Sequence, residues 1–344
     1  MTLRPGKLPA ALLAELLAKV PRADPRVLVG PAVGRDAAVI DIGHGRVLVA
    51  KTDPVTFASD DIGWYAVNVN ANDIACMGAR PAWFLATALL PPAAPDALPG
   101  IIFDQLIAAC AALGIELVGG HTEVTLGLDH PIVIGAMLGE AAAADIVRGE
   151  NIRAGDAVLL TKGIAIEGTA LLGREAEPAL STLGVNAAVI ERAQRMLYDP
   201  GISVVGDAEA LRSVTKPRLM HDPTEGGLAT ALYEMAEVAG MTIRIDDASV
   251  PIFEETSAIC HALGLDPMGL LASGALLAIV AAEDAVTVAD RLGANGTACA
   301  QIGSIVSGPP RVILGAEDSV IPLPSFARDE LARFFDDAQG QAPN

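Results

Sequence analysis

The sequence predicts an α/β (α+β) protein built from two consecutive domains. Three observations carry this. Strand-like and helix-like stretches alternate along the chain, 344 residues suit about two domains, and residues 141–155 turn from apolar to polar before a new apolar strand starts at Ala157. Leu8, Leu12, Leu16 and Val20 recur at helical spacing and predict an amphipathic helix, followed by a glycine loop at 30–34. Strands are expected at 37–42 and 46–50, then a helix over 61–78 that stops at Gly78 with Pro81 beyond it. A strand at 83–90, a helix at 97–113 and strands at 115–120 and 131–140 complete the first half. The second half reads as a strand from Ala157, helices at 186–197, 226–239, 254–263 and 283–293, and strands at 241–245, 270–281, 299–306 and 311–314. The expected division is 1–35 for the helix and glycine loop, 36–145 and 155–315 for the two domains, and 316–344 for a tail that frays at its end.

Composition narrows the function. Apolar residues make up 52% and charged ones 19%, enough for large cores and against wholesale disorder. The net charge of −19 argues against a nucleic-acid partner, which would need a basic surface. It leaves room for a nucleotide, because Mg²⁺ screens a triphosphate and turns acids into ligands. Glu15 and Lys19 interrupt the first apolar run, which favours an amphipathic helix over a signal peptide, and no uncharged apolar stretch of about 18 residues argues for a membrane span. Cys76, Cys110, Cys260 and Cys299 are scattered without a CxxC pair, so a zinc site or disulfide framework is not expected and a reducing cytoplasm fits.

Four acids stand in short apolar surroundings: Asp36 in GRDAAV, Asp53 in TDP, Asp73 in NDIACMGARP and Glu123 in GGHTE. A carboxylate near an apolar core needs a partner or a cation. Converging, they would suit Mg²⁺ with phosphates; taken singly, each is readily a surface acid among 42 Asp and Glu. Gly30 and Gly34 would let backbone approach a phosphate, although the loop lacks the ending of a P-loop. Asn68, Asn72 and Asp73 lie among apolar residues of one predicted helix, so burial with partners is favoured over a solvated face. Gly119 and Gly120 leave room for a ligand, with His121, Thr122 and Glu123 beside them; a lone histidine is more often structural. Asp222 and Thr224 precede Gly226 and Gly227 at a helix start, either an anion site or a plain cap, and Glu225 disfavours direct phosphate contact. Lys162 is placed to reach a phosphate and Glu167 to act as base or ligand, weighed evenly against a surface loop.

In this order, VGPAVGRDAAVI, KTDPVTFA, IGWYAVNVNANDIACMGARP, LVGGHTEVT, GDAVLLTKGIAIEGTALL and HDPTEGGLA resemble the superfamily of aminoimidazole ribonucleotide (AIR) synthase, thiamine-monophosphate kinase, selenophosphate synthetase and the hydrogenase maturation protein HypE, with HypE-like members nearest. The resemblance spans roughly residues 5–315. It implies a two-domain PurM-like fold whose N-terminal domain closes a β-barrel across a homodimer, with ATP and Mg²⁺ in the cleft. By position, Asp36, Asp53, Asp73, Glu123 and Asp222 would bind metal or phosphate. Gly34, Asn72, Gly119, Gly120, Thr122, Lys162 and Thr224 would join Asp36, Asp53, Asp73 and Asp222 around the nucleotide, and Lys162, Glu167 and His121 are the catalytic candidates. The implied chemistry is ATP-dependent phosphorylation of an amide or carbonyl oxygen. The expected partners are a second copy, ATP, and a maturation partner or a small-molecule amide as acceptor.

The chain departs from HypE in several places. It ends Gln341-Ala342-Pro343-Asn344 where HypE has a cysteine tail, it has Ser273 where HypE has Glu, Glu225 where HypE tends to have Arg, and Glu123 where the family often has Asp. The acceptor is therefore left open. The alternatives are a thiamine-monophosphate kinase-like phosphotransferase and a nucleotide-binding maturation partner without turnover. Selenophosphate synthetase is disfavoured because no cysteine precedes Cys76.

Overall fold

The computed structural model describes residues 8, 10–21, 23–32, 34, 37–56, 60–315 and 321–340. They pack into two compact units, Leu17–Ile146 and Val147–Asn344, the described part of Met1–Leu16 falling with the second. The chain opens with α1 (Ala10–Leu17). The predicted apolar stripe is present but stays exposed at Leu8, Leu12, Leu16 and Val20.

The first unit contains β1 (Val27–Val29), β2 (Ala38–Gly43), β3 (Arg46–Val55), α2 (Ile62–Cys76), β4 (Arg80–Leu90), α3 (Leu98–Leu113), β5 (Glu116–Val124) and β6 (Ile132–Ala142). Its sheet runs β1-β2-β3-β6-β4-β5. Only β4 and β5 pair in parallel, as their connection through α3 requires, and the other neighbours are antiparallel. α2 is buried on nearly every side, Asn68, Asn70, Asn72 and Asp73 included. It packs against α3 and the β3–β6 part of the sheet. The solvated polar face that the sequence left open is absent from this helix. β3 was expected to stop at Ala50 but continues through Val55, because β6 stays in register with it to the end.

The second unit contains β7 (Ala157–Thr161), α4 (Ile166–Glu175), α5 (Glu177–Thr182), α6 (Ala187–Arg195), α7 (Val205–Arg212), β8 (Leu219–His221), α8 (Gly227–Ala239), β9 (Thr242–Ile245), α9 (Glu254–Leu263), β10 (Leu277–Val280), α10 (Ala285–Ala294), β11 (Cys299–Val306), β12 (Arg311–Leu314), β13 (Ile321–Pro322) and α11 (Glu330–Gly340). Among the described residues its sheet runs β13-β12-β9-β11-β7-β10-β8. β7 and β10 lie inside the sheet and every residue of both is buried, so they read as unbroken apolar runs. The strand expected over 270–281 begins only at Leu277. The backbone before it is used elsewhere: Ala272 N–H donates to Thr224 C=O, and the carbonyls of Leu271 and Ser273 accept from Gly168 and Glu167.

Candidate functional site

Strand alternation builds the first cluster. Val47 and Val49 of β3 are fully buried, and the next residues on the same face are Lys51 and Asp53. Apolar lining thus gives way to charge just where β2 runs out, its pairing with β3 ending at Ala50. The amide of Asn70 stands in for the missing strand. Its oxygen accepts from Asp53 N–H at 2.9 Å, and its NH₂ donates to Asp53 C=O at 3.3 Å and Ala66 C=O at 2.8 Å. Gly135 makes room for that amide, since a Cβ there would lie 2.4 Å from Asn70 Nδ2.

Asp73 follows Asn70 by three residues and shares its helix face. The Lys51 ammonium lies 3.1 Å from Asp73 Oδ2 and 3.2 Å from Asp53 Oδ2. Asp73 keeps only 7% of its side chain exposed, against 37% for Asp53, so the site has a closed side and an open side. Two carboxylates from two elements converge on one cationic centre. Their hard oxygens suit Mg²⁺, and the ammonium stands where such an ion would fit. Among the described residues no three acids, histidines or cysteines gather to hold a metal alone. A divalent ion here would take its other ligands from water and phosphate, as Mg²⁺ ordinarily does. Asn72 is fully buried one position from Asp73. Asp36 lies outside the described residues, and Gly34 adopts a left-handed φ of 73° that favours glycine.

Glu123 does not join this pair, contrary to the expected ligand set. Asp53 is in register with Gly135, Ala86 and Gly120 across β6, β4 and β5. Three strand spacings separate the ends of that row, roughly 14 Å. Glu123 lies three residues beyond Gly120, so its side chain also emerges on the other face of the sheet. There it is exposed and accepts from Thr125 Oγ1 at 2.8 Å, with His121 Nε2 at 3.1 Å. The contact with His121 holds its carboxyl below the usual range. Gly120 and Thr122 remain on the face of Asp53. With Gly119, Phe103, Leu106 and Val118 they line a cavity of about 390 Å³.

The second unit houses its charges differently. Lys162, just past β7, has a φ of 57° and turns inward. Its ammonium donates to Ser203 C=O at 2.6 Å and Gly274 C=O at 2.9 Å, and lies 3.2 Å from Asp207 Oδ2. Burial lowers its pKa, with Asp207 opposing. Asp207 also accepts from Thr161 and Thr297. The lysine read as reaching a phosphate is committed to the interior, which corrects that expectation.

Glu167 sits in the first turn of α4 and is buried. Burial pushes its carboxyl up to about 8; the Ser273 hydroxyl opposes this, while Glu225, Asp329 and Asp222 add to it. Asp222 is itself buried, and Thr224 C=O accepts from Gly227 at 3.0 Å. The glycine pair, left open between an anion site and a plain cap, holds a carboxylate from the chain itself. Asp329 Oδ2 accepts from Gly226 N–H at 2.6 Å and Oδ1 from Leu331 N–H at 2.7 Å, and burial raises this carboxyl to about 6.

Four residues of these clusters escaped sequence reasoning. Lys51 was readable from its two-residue offset to Asp53, and Asn70 from its three-residue offset to Asp73. Asp207 and Asp329 had no local signal, since Asp329 meets Gly226 across 103 residues.

Residues 34–141 match the N-terminal domain of the AIR synthase related protein family, and residues 153–315 its C-terminal domain. Carbamoyl dehydratase HypE of Cupriavidus necator is 32% identical over 259 residues, covering 73% of this chain and 70% of that protein. A crystal structure of hydrogenase maturation protein HypE in complex with ATP superposes with a TM-score of 0.69 at 23% identity, over 93% of this chain and 91% of that one. HypE in a HypE–HypF complex gives 0.70 at 22% identity, over 85% and 93%. At such identities the structural likeness establishes the two-domain fold. With its two matched domains and its HypE relative, the chain belongs to the AIR synthase related family as a HypE-like member.

Proposed function

We propose that this protein is an ATP-dependent, HypE-like enzyme that binds ATP with Mg²⁺ and activates an amide or carbonyl oxygen by phosphorylation. The observation that carries this is the convergence of Asp53 and Asp73 on one cationic centre. Bound Mg²⁺ would neutralise the triphosphate. The chain would supply the positioning: Asn70 fixes the Asp53 backbone, α2 buries Asp73, and Gly120 and Thr122 open a cavity on the same sheet face. With Lys162 committed to Asp207, Glu167 and His121 remain as catalytic candidates.

β5 supports a homodimer. It is an edge strand exposed along nearly its whole length, including Val118 and Val124, and a second copy could cover it. His121 and Glu123 would then serve a neighbouring copy rather than Asp53 of their own. A maturation protein comparable to the HypF seen with HypE is the proposed partner. Three of the four cysteines are poorly suited to be the acceptor. Burial raises Cys110 to about 11, Cys260 to about 12 and Cys299 to about 11, which keeps them protonated at neutral pH.

The inward Lys162 favours a second reading, a nucleotide-binding maturation partner without turnover. Calorimetric titration of ATP with and without Mg²⁺, on wild type and Asp73→Asn, tests the site. Mg²⁺-dependent binding that the variant loses is expected; equal binding by the variant removes the metal from Asp73. ATP turnover on adding an amide or partner then separates the two readings, and conversion of thiamine monophosphate would replace both with the kinase.

A further inference from the structure

We infer that Lys51 is the internal counter-ion of the Asp53–Asp73 pair, holding it when no divalent ion is present and yielding to one that arrives with a polyphosphate. This deepens the proposed reading and rests on it. An ammonium carries three donors and no acceptor. Here it lies 3.1 Å and 3.2 Å from carboxylates on α2 and β3, so it bridges two elements rather than decorating one. Asp73 keeps 7% of its side chain exposed and Lys51 19%, so a carboxylate that is costly to bury alone is matched by a cation that is itself largely enclosed. The first unit can therefore fold with its acid pair complete and no metal bound.

The arrangement also dictates an order of binding. A divalent ion coordinating these oxygens would lie against the ammonium, and like charges repel at that separation. Lysine is a point charge on a flexible four-carbon stem, so it can move aside, whereas a forked guanidinium bound to both acids would resist. A triphosphate supplies the negative charge that the displaced ammonium needs. The divalent ion alone should thus bind weakly and the ion–nucleotide pair tightly. Lys51 would couple the two ligands, passing from carboxylates to phosphate.

The test uses Mn²⁺ as the probe, counted free and bound by its paramagnetic signal, on the full chain and its Lys51→Met, Lys51→Arg and Asp73→Asn variants, with and without ATP. Without ATP, Lys51→Met is expected to bind Mn²⁺ roughly tenfold or more tightly than wild type. Its melting temperature should also rise more on adding Mn²⁺. With ATP the order should reverse, Lys51→Met holding Mn²⁺–ATP less tightly than wild type. Lys51→Met that binds free Mn²⁺ no better than wild type overturns the inference, provided Asp73→Asn has lost Mn²⁺–ATP. If Asp73→Asn retains Mn²⁺–ATP, the metal-site reading itself fails. Should Lys51→Met not fold, Lys51→Arg decides: it is expected to fold and bind Mn²⁺–ATP about tenfold more weakly, and wild-type affinity overturns the inference.

Discussion

The two units bury carboxylates by opposite means. In the first, Asp73 is compensated by a neighbouring cation with a partly open side. In the second, Glu167 lies among Asp222, Glu225 and Asp329 and is accommodated by taking up a proton, while Asp329 is held by backbone N–H groups. The Lys162–Asp207 contact of the second unit leaves less than a tenth of either side chain exposed. An open pair can exchange its cation for another ligand, a closed pair is architecture, and an acid kept neutral answers to pH. The first unit should therefore respond to ions and the second to protons.

The largest expected effect comes from breaking the closed pair. Asp207→Asn leaves the Lys162 ammonium buried without its counter-charge and should cost about 3–5 kcal/mol in denaturant unfolding. Lys51→Met should cost less, because Asp53 is 37% exposed and water reaches the pair from that side. Comparable costs for Asp207→Asn and Lys51→Met would erase the distinction between closed and open pairs.

Glu167→Gln sharpens the proton side of the comparison. The folded carboxyl is raised from the usual 4.5 to about 8. The folded state therefore binds the proton more tightly, and this stabilisation, full below 4.5, fades as pH rises through about 8. Wild type should lose roughly 2–4 kcal/mol relative to the glutamine variant across that window. Parallel thermal-melting curves for the two proteins from pH 5 to 9 would show that Glu167 does not titrate where burial places it.

The smallest change targets the Asn70 amide that holds the Asp53 backbone. Gly135→Ala would push a methyl into Asn70 and the Phe84 ring, both within 2.8 Å of the built Cβ. The expected cost is about 2 kcal/mol, with Mg²⁺–ATP affinity falling further than stability alone explains. Unchanged affinity, measured by calorimetry, would show that Asn70 does not set the position of Asp53.

Much of this was readable from the chain, and the failures have physical causes. The buried helix was legible because Asn68, Asn72 and Asp73 sit among Val67, Val69 and Ile74. Asp53 is legible as a ligand candidate, but Lys51 beside it is not while the strand is taken to end at Ala50. Carrying the two-residue period through Val55 puts both on one face. Glu123 misled because chain order hides sheet order: β6 inserts between β3 and β4 and leaves β5 at the edge. Leu270–Leu276 reads as strand by composition, but its backbone serves Thr224, Glu167 and Gly168 instead. The partner of Lys162 was hidden because three helices, α4 to α6, separate it in sequence from Asp207 in α7.

The Asp329–Gly226 hydrogen bond also bears on how the chain is made. The first unit is one continuous stretch and has all its strands once Ala142 has left the ribosome. The first turn of α8 waits for a residue synthesised 103 positions later. At translation rates of about 5–20 residues per second, that leaves an interval of roughly 5–20 seconds in which the Gly226 N–H lacks its native acceptor. The first unit is thus free to mature ahead of the second, whose helix start is completed only when the segment leading into α11 arrives.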